Sequence, residues 1–296
     1  VVVTSIRAAL QLACAVFLPL GAAAAIGDPG WNTGRRTLRS IGVPILPIPV
    51  DRDGLSIEQL IERGADARLV HVTPTHHWPT GVVLPLARRL QLIAWARRHD
   101  AWIIEDDYDS EFRFDGPPPG TLHGIADGGP VLYAGTFAKT FAPSVRCAYL
   151  VVPQERGDEC ARAAYNLGAE PSLQLQAALA DFLAEGHFAR HLVRMRKLYR
   201  RRRDALVDGL AEAFGDRMRV ERPPGGLQLV VGLPAGVSAG EISEQAARAG
   251  ILARPMAHYH VETAPQNGLH LGFAAVPESD MAPAVARLRA AAADLF

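Results

Sequence analysis

One lysine is placed where it could bind an aldehyde covalently. The chain has only two lysines, and Lys139 lies in the segment 135–146, just after a predicted strand, with Thr136 three residues before it and Arg146 seven after. A lysine amine forms Schiff bases, and a hydroxyl and a guanidinium bind phosphate. The spacing therefore suits a phosphorylated aldehyde cofactor, although taken alone it fits an ordinary surface lysine equally well.

An acidic cluster follows another predicted strand. Strand alternation places Asp106 and Tyr108 on one side. A buried carboxylate can hold a pyridine nitrogen protonated while a phenol hydrogen-bonds a ring hydroxyl, which turns pyridoxal phosphate into an electron sink. The cluster also fits helix capping or a metal site, since Glu105, Asp107 and Asp109 are hard oxygen ligands, but the glycine-punctuated spacing of a calcium loop is missing.

Alternating strands and helices must position these residues. Six short apolar runs are predicted as strands: 1–4, 43–49, 69–73, 101–106, 131–134 and 147–152. With a helix over 85–99 between the third and fourth runs, they predict a mostly parallel α/β sheet flanked by helices. Ligands collect at the carboxyl ends of such strands, so the segments 73–81 and 105–108 and the Lys139 loop should converge.

The character of the chain changes after Pro153. Long arginine-rich helices are predicted over 173–185 and 187–214, followed by candidate strands at 219–220, 227–231, 251–253 and 269–273 and a helix over 277–295. We predict a large domain over 1–155, connecting helices over 156–214 and a smaller C-terminal α+β domain over 215–296.

Composition excludes some classes of partner. The net charge is +0, so no global signal favours nucleic acid or an anionic membrane. Three widely spaced cysteines suit reduced thiols in the cytoplasm.

The apolar run 8–26 could pass for a membrane span, but its interruptions favour a core helix over 8–18. Because the chain starts at Val1 and directly in a predicted strand, we expect a fragment without its upstream part.

Three segments together resemble a known family. The segments Glu105-Asp106-Asp107-Tyr108-Asp109-Ser110-Glu111-Phe112-Arg113, Gly135-Thr136-Phe137-Ala138-Lys139-Thr140 and 184–199 look like the aminotransferase-like domain of MocR-type (GabR-like) bacterial regulators. That family belongs to the fold-type I pyridoxal-phosphate enzymes. The resemblance covers residues 1–295.

The resemblance implies roles for individual residues. Lys139 would form the internal aldimine with pyridoxal 5'-phosphate, Asp106 would pair with the pyridine nitrogen and Tyr108 with the ring hydroxyl. Thr136 and Arg146 would hold the phosphate, with Ser5 as a weaker third contact. The resemblance also implies a homodimer with the cofactor near the subunit interface, and a winged helix-turn-helix that binds DNA ahead of this domain in full-length regulators.

Several positions depart from the family pattern. Ile6 and Arg7 follow Ser5 where a glycine and small residues are usual, which puts the backbone approach to the phosphate in doubt. Trp78 replaces an asparagine common in aminotransferases and favours the regulator branch. His270 stands where an arginine usually clamps a substrate carboxylate, so the ligand differs, its binding is weakened, or His270 is structural. Trp31 faces either the ligand or the core.

Two other groups of residues have alternative interpretations. The run Arg194, Arg196, Lys197 and 200–203 is basic, but it spreads around several faces of a helix, which favours a solvated side over a nucleic-acid patch. The histidines at 76, 77, 258 and 260 are too far apart in sequence to indicate zinc strongly. We expect no metal.

The leading hypothesis is an effector domain that senses a small amine or amino acid by transimination at Lys139. A working pyridoxal-phosphate-dependent aminotransferase, in which the released Lys139 shuttles a proton, is the main alternative. A truncated scaffold without cofactor is the third. The sequence leaves enzymatic activity open.

Overall fold

The computed structural model describes all 296 residues and contains two sheets. Its strands are β1 Val2–Val3, β2 Ala23–Asp28, β3 Ile45–Asp51, β4 Gly54–Leu55, β5 Ala67–Val72, β6 Trp102–Asp107, β7 Val131–Thr136, β8 Ala148–Val151, β9 Arg219–Val220, β10 Gln228–Gly232, β11 Arg254–Pro255 and β12 Gly268–Gly272. Its α-helices are α1 Ile6–Phe17, α2 Asn32–Ser40, α3 Ile57–Arg63, α4 Leu86–Arg98, α5 Leu122–Ala126, α6 Phe137–Thr140, α7 Gly157–Asn166, α8 Leu173–Ala184, α9 His187–Phe214, α10 Ala239–Arg248 and α11 Glu278–Ala291.

The larger sheet has eight strands in the order β1-β8-β7-β6-β5-β2-β3-β4. The pairs from β7 through β6, β5 and β2 to β3 are parallel, and only β8, β1 and β4 add antiparallel pairs at the two sides. The predicted mostly parallel sheet is therefore confirmed. In the β6–β7 pair, Asp106 lies opposite Ala134 and Asp107 opposite Gly135, which brings the carboxyl ends of these two strands together.

Strand β2 was missed by the sequence analysis. The predicted core helix is present as α1, which ends at Phe17, but the apolar run then turns and enters the sheet between β3 and β5. Alanine-rich runs have low strand propensity, so the local sequence gives a weak signal. The small side chains of Ala24 and Ala25 are fully buried inside the sheet. None of the helices combines the length and apolar character needed to cross a membrane.

The chain divides into two compact units. The first comprises residues 1–78, 82–110 and 118–191, and the second comprises residues 79–81, 111–117 and 192–296. In the second unit, the sheet β11-β12-β10-β9 carries a core with residues from α9, α10 and α11. The strand predicted over 251–253 was wrong, because the pairing with β12 begins at Arg254. The predicted division at residues 155 and 214 stays a prediction.

The basic run on α9 is largely paired within the second unit. Arg203 is buried and lies 2.5 Å from Asp115, and Arg200 lies 3.2 Å from the same carboxylate. Arg201 pairs with Glu278 at 3.0 Å. The predicted solvated helix side therefore describes only part of the basic run, because Arg203 is buried and forms an ion pair with Asp115.

Candidate functional site

Lys139 sits on a short helix that starts directly from strand β7. The Thr136 hydroxyl oxygen caps this helix by accepting a hydrogen bond from the Ala138 N–H at 3.1 Å. His191 donates to the Thr140 carbonyl at 3.0 Å, and the ring of Phe137 packs against Tyr149. The backbone around Lys139 is thus held from both sides, while the lysine side chain is exposed. The Thr136 hydroxyl hydrogen remains available for a phosphate oxygen.

Asp106, the last residue but one of strand β6, is a buried carboxylate with one satisfied oxygen. His71 Nε2 lies 3.1 Å from Asp106 Oδ2, and both side chains are buried. Asp106 Oδ1 is buried without a hydrogen-bond partner. A buried carboxylate oxygen without a partner is costly, and a cationic N–H donor would satisfy it. This is the arrangement that a protonated pyridine nitrogen requires.

Aromatic side chains line the site next to this acid. The Trp78 ring meets Tyr108 edge-on at 6.0 Å between centroids. The Trp31 ring, at the start of α2, stacks on His71 at 5.5 Å. Trp31 thus lines the cavity and also packs on a buried side chain, and its contact with a ligand stays a prediction.

These side chains converge on one open cavity of about 310 Å³. The eight residues of this unit that were predicted to bind cofactor or ligand all line it: Ser5, Trp31, Trp78, Asp106, Tyr108, Thr136, Lys139 and Arg146. They come from five separate segments that share only the carboxyl edge of the sheet. Arg146 reaches its place from a left-handed backbone conformation with φ 45°.

Arg7 is a lining residue that the sequence analysis missed. It was treated only as a departure from the glycine-containing loop, but it adds a third cation to Lys139 and Arg146. Ser5 caps α1 by accepting from the Ala8 N–H at 3.2 Å, so the amino end of this helix also borders the cavity. Since helix amino ends attract anions, this side suits a phosphate despite the missing glycine. The signal available in the sequence was a basic residue two positions after a serine that could cap a helix.

The remaining acids of the cluster have structural partners. Glu105 accepts hydrogen bonds from the N–H groups of Leu122 and His123, and burial raises its pKa. Asp107 accepts from Ser110 and from the Tyr133 hydroxyl. No three His, Cys, Asp or Glu residues are grouped to hold a metal ion. Among the residues that line the cavity, Asp106 is the only acid, and Arg7, Lys139 and Arg146 are basic.

His270 lies in the second unit on β12. Its side chain is buried, and its ring packs against Tyr259 at 5.3 Å. The ligand-binding role predicted for His270 stays a prediction.

The fold and this lysine–aspartate site define the class of protein. The fold is that of the fold-type I pyridoxal-phosphate-dependent aminotransferases. LysN, an α-aminoadipate aminotransferase from Thermus thermophilus complexed with N-(5'-phosphopyridoxyl)-L-leucine, superposes with a TM-score of 0.88 at 26% identity. The superposition covers 99% of this chain and 77% of LysN. The chain belongs to the aminotransferase class I and II family, whose profile matches residues 1–288. Pyridoxal 5'-phosphate is the cofactor of this family, as the sequence predicted.

Two of the curated proteins that this chain resembles are regulators. The probable rhizopine catabolism regulatory protein MocR of Rhizobium meliloti is 38% identical over 98% of this chain. The HTH-type transcriptional regulator YdeL of Bacillus subtilis is 34% identical over 95%. The predicted resemblance to MocR-type regulators is confirmed. The chain spans 59% of the length of MocR and 60% of that of YdeL.

Proposed function

We propose that this chain is the pyridoxal-phosphate-binding effector domain of a MocR-type transcriptional regulator, and that it senses a small amine or amino acid by amine exchange at Lys139. The observation that carries the proposal is the convergence of Lys139 with Asp106, whose buried Oδ1 has no partner, in a cavity with three cations. When bound, the cofactor supplies an aldehyde carbon that condenses with amines and a ring that withdraws electrons.

Different residues of the cavity would hold different parts of the cofactor. Asp106 Oδ1 would keep a proton on the pyridine nitrogen, and Tyr108 would donate to the ring oxygen. Arg146, Arg7 and the Thr136 hydroxyl would bind the phosphate. The Lys139 amine would hold the cofactor until an amine ligand replaces it, and would then be released as a free cation. That release would change the packing of the short helix α6, and binding of the amine would thereby change the conformation of the chain.

The two lysines of the chain provide a matched test. The Lys139→Ala variant should give no borohydride-trapped mass increase after incubation with pyridoxal phosphate, because no amine remains in the cavity. The Lys197→Ala variant, which removes an exposed lysine on α9, should be trapped fully. Intact mass and the yellow absorbance are the readouts. Unchanged trapping in Lys139→Ala would contradict the proposal, and absence of any uptake by the wild type would support an inert scaffold instead.

A working aminotransferase is the second candidate, and the likeness to LysN supports it. In that case the released Lys139 would carry a proton between the substrate and the cofactor. A steady-state assay with amino donors and 2-oxo acids separates the two functions. Sustained turnover would contradict a role in sensing alone.

A second copy of this chain is the partner we propose for helix α8. Of its 12 residues only Leu179 is buried, although the helix is rich in leucine and alanine. Leu173 is 77% exposed, and Tyr165 at the end of α7 is 73% exposed. Apolar surface of this extent is typical of an interface, which supports the predicted homodimer. Binding of DNA would belong to a further domain of the whole protein, and we place that protein in the cytoplasm.

A further inference from the structure

The Tyr108 hydroxyl lies against a buried histidine–aspartate pair. His76 Nδ1 is 3.0 Å from the Tyr108 hydroxyl oxygen and 2.8 Å from Asp109 Oδ2. His76 is 5% exposed and Asp109 is 1% exposed. Metal binding was one role that the sequence left open for these two residues, and the structure groups them in no metal site. They therefore need another explanation.

His76 Nδ1 can act either as a hydrogen-bond donor or as an acceptor, but not as both. A ring nitrogen carries either one hydrogen or one lone pair, and a carboxylate at 2.8 Å requires a proton between the two atoms. An ionised carboxylate has only acceptor oxygens and no hydrogen to donate. The proton therefore sits on Nδ1 and points to Asp109 Oδ2. Nδ1 then has no lone pair to accept the hydrogen of Tyr108.

The burial of Asp109 makes its carboxylate a suitable acceptor for the His76 Nδ1 hydrogen. Its Oδ1 makes no hydrogen bond, so its polar interactions concentrate on Oδ2. Burial raises the pKa of Asp109, and the neighbouring His76 opposes that rise. The Tyr108 hydroxyl also donates to Asp109. Its hydrogen can therefore go to the Asp109 carboxylate or to an anionic oxygen that enters the cavity, but not to His76 Nδ1.

We propose that Asp109 and His76 are positioning residues: Asp109 fixes His76 Nδ1 as a donor, and this keeps the Tyr108 hydrogen available to an oxygen on the ring of a bound ligand. The identity of that ring oxygen rests on the proposed function. The contacts of Tyr108 with His76 and Asp109 do not depend on that function.

Histidine ¹⁵N NMR tests the first half without cofactor. In wild-type protein the Nδ1 of His76, assigned by the signal that His76→Gln loses, should be protonated. In Asp109→Leu it should become an unprotonated acceptor, because the Tyr108 hydroxyl now donates to it. Asp109→Asn should restore the protonated form, since its amide oxygen still accepts. An unprotonated Nδ1 in the wild type would overturn the proposal.

Cofactor affinity tests the second half through a double-mutant cycle. Asp109→Leu should weaken pyridoxal phosphate binding about 10- to 100-fold, the worth of one hydrogen bond to a charged acceptor. In a Tyr108→Phe background the same change should have almost no effect. Glu105→Gln is the matched control, because that buried acid caps α5 and should show no coupling to Tyr108.

The possible failures are distinguishable. Additive effects of Asp109→Leu and Tyr108→Phe would overturn the inference while leaving the cofactor site intact. Absence of pyridoxal phosphate uptake by the wild type would contradict the proposed function, and the NMR experiment would still decide how His76 is protonated.

Discussion

Asp106 shows how one buried side chain serves two neighbours. Its Oδ2 is taken by His71, whose other face carries the Trp31 ring, and its Oδ1 is left for the cavity. Because His71 fixes the carboxylate, the free oxygen has a defined direction before any ligand arrives. Such preorganisation lowers the cost of binding.

His77 is the residue at which we expect a pH effect. Burial lowers the pKa of His77 from 6.5 to about 3. The imidazole of His77 takes up a proton below pH 6.5 in the unfolded chain but only near pH 3 in the folded protein. The stability that depends on neutral His77 is therefore complete above pH 6.5, and it is lost as the pH falls from 6.5 towards 3. The loss is on the order of 5 kcal/mol at most.

Melting measured from pH 7 to pH 4 checks this prediction. The His77→Gln variant should lose less stability than the wild type over that range, because glutamine does not titrate. His187→Gln, which replaces a histidine on the surface at the start of α9, should follow the wild-type curve. Parallel curves for His77→Gln and the wild type would contradict the assignment.

At the scale of elements, the β7–β8 pair determines how the Lys139 loop leaves the sheet. Gly135 lies opposite Tyr149 in this antiparallel pair. The Tyr149 ring covers the glycine so closely that a Cβ atom there would lie 2.4 Å from the ring. Glycine is therefore required at this position by a close approach and not by its backbone angles.

The Gly135→Ala variant should be destabilised by overpacking. We expect a loss of about 1–3 kcal/mol, which lowers the melting temperature by several degrees for a unit of this size. Gly157→Ala is the control, because nothing lies within 4 Å of its Cβ position and alanine favours the helix α7. A melting temperature of Gly135→Ala equal to that of the wild type would show that Tyr149 moves aside freely.

At the scale of the whole molecule, the exposed apolar surface of α8 predicts self-association. Light scattering should give the mass of a dimer for the wild type. Replacing an anchor leucine at an interface weakens it by at least about tenfold, so Leu173→Gln should shift the equilibrium towards monomer. Leu252→Gln changes a leucine that is 69% exposed in the second unit and should leave the dimer intact. A monomeric wild type would refute the homodimer.

The sequence by itself determined the chemistry and the class of fold. Lys139, Thr136 and Arg146 lie within one short segment, and so do Asp106 and Tyr108, so their types and spacing were visible locally. The alternation of apolar runs and helices indicated a parallel sheet, whose carboxyl edge is where such segments meet. These features depend on neighbours along the chain.

Only the tertiary structure decided the remaining relationships. His76 and Asp109 are 33 residues apart and meet because β5 and β6 pair side by side. Arg7 lines the cavity because α1 starts at the same edge of the sheet. Strand β2, with its alanines, is a strand because the sheet buries it on both sides. The physical reason is common to all three: burial and pairing between distant segments override weak local preferences.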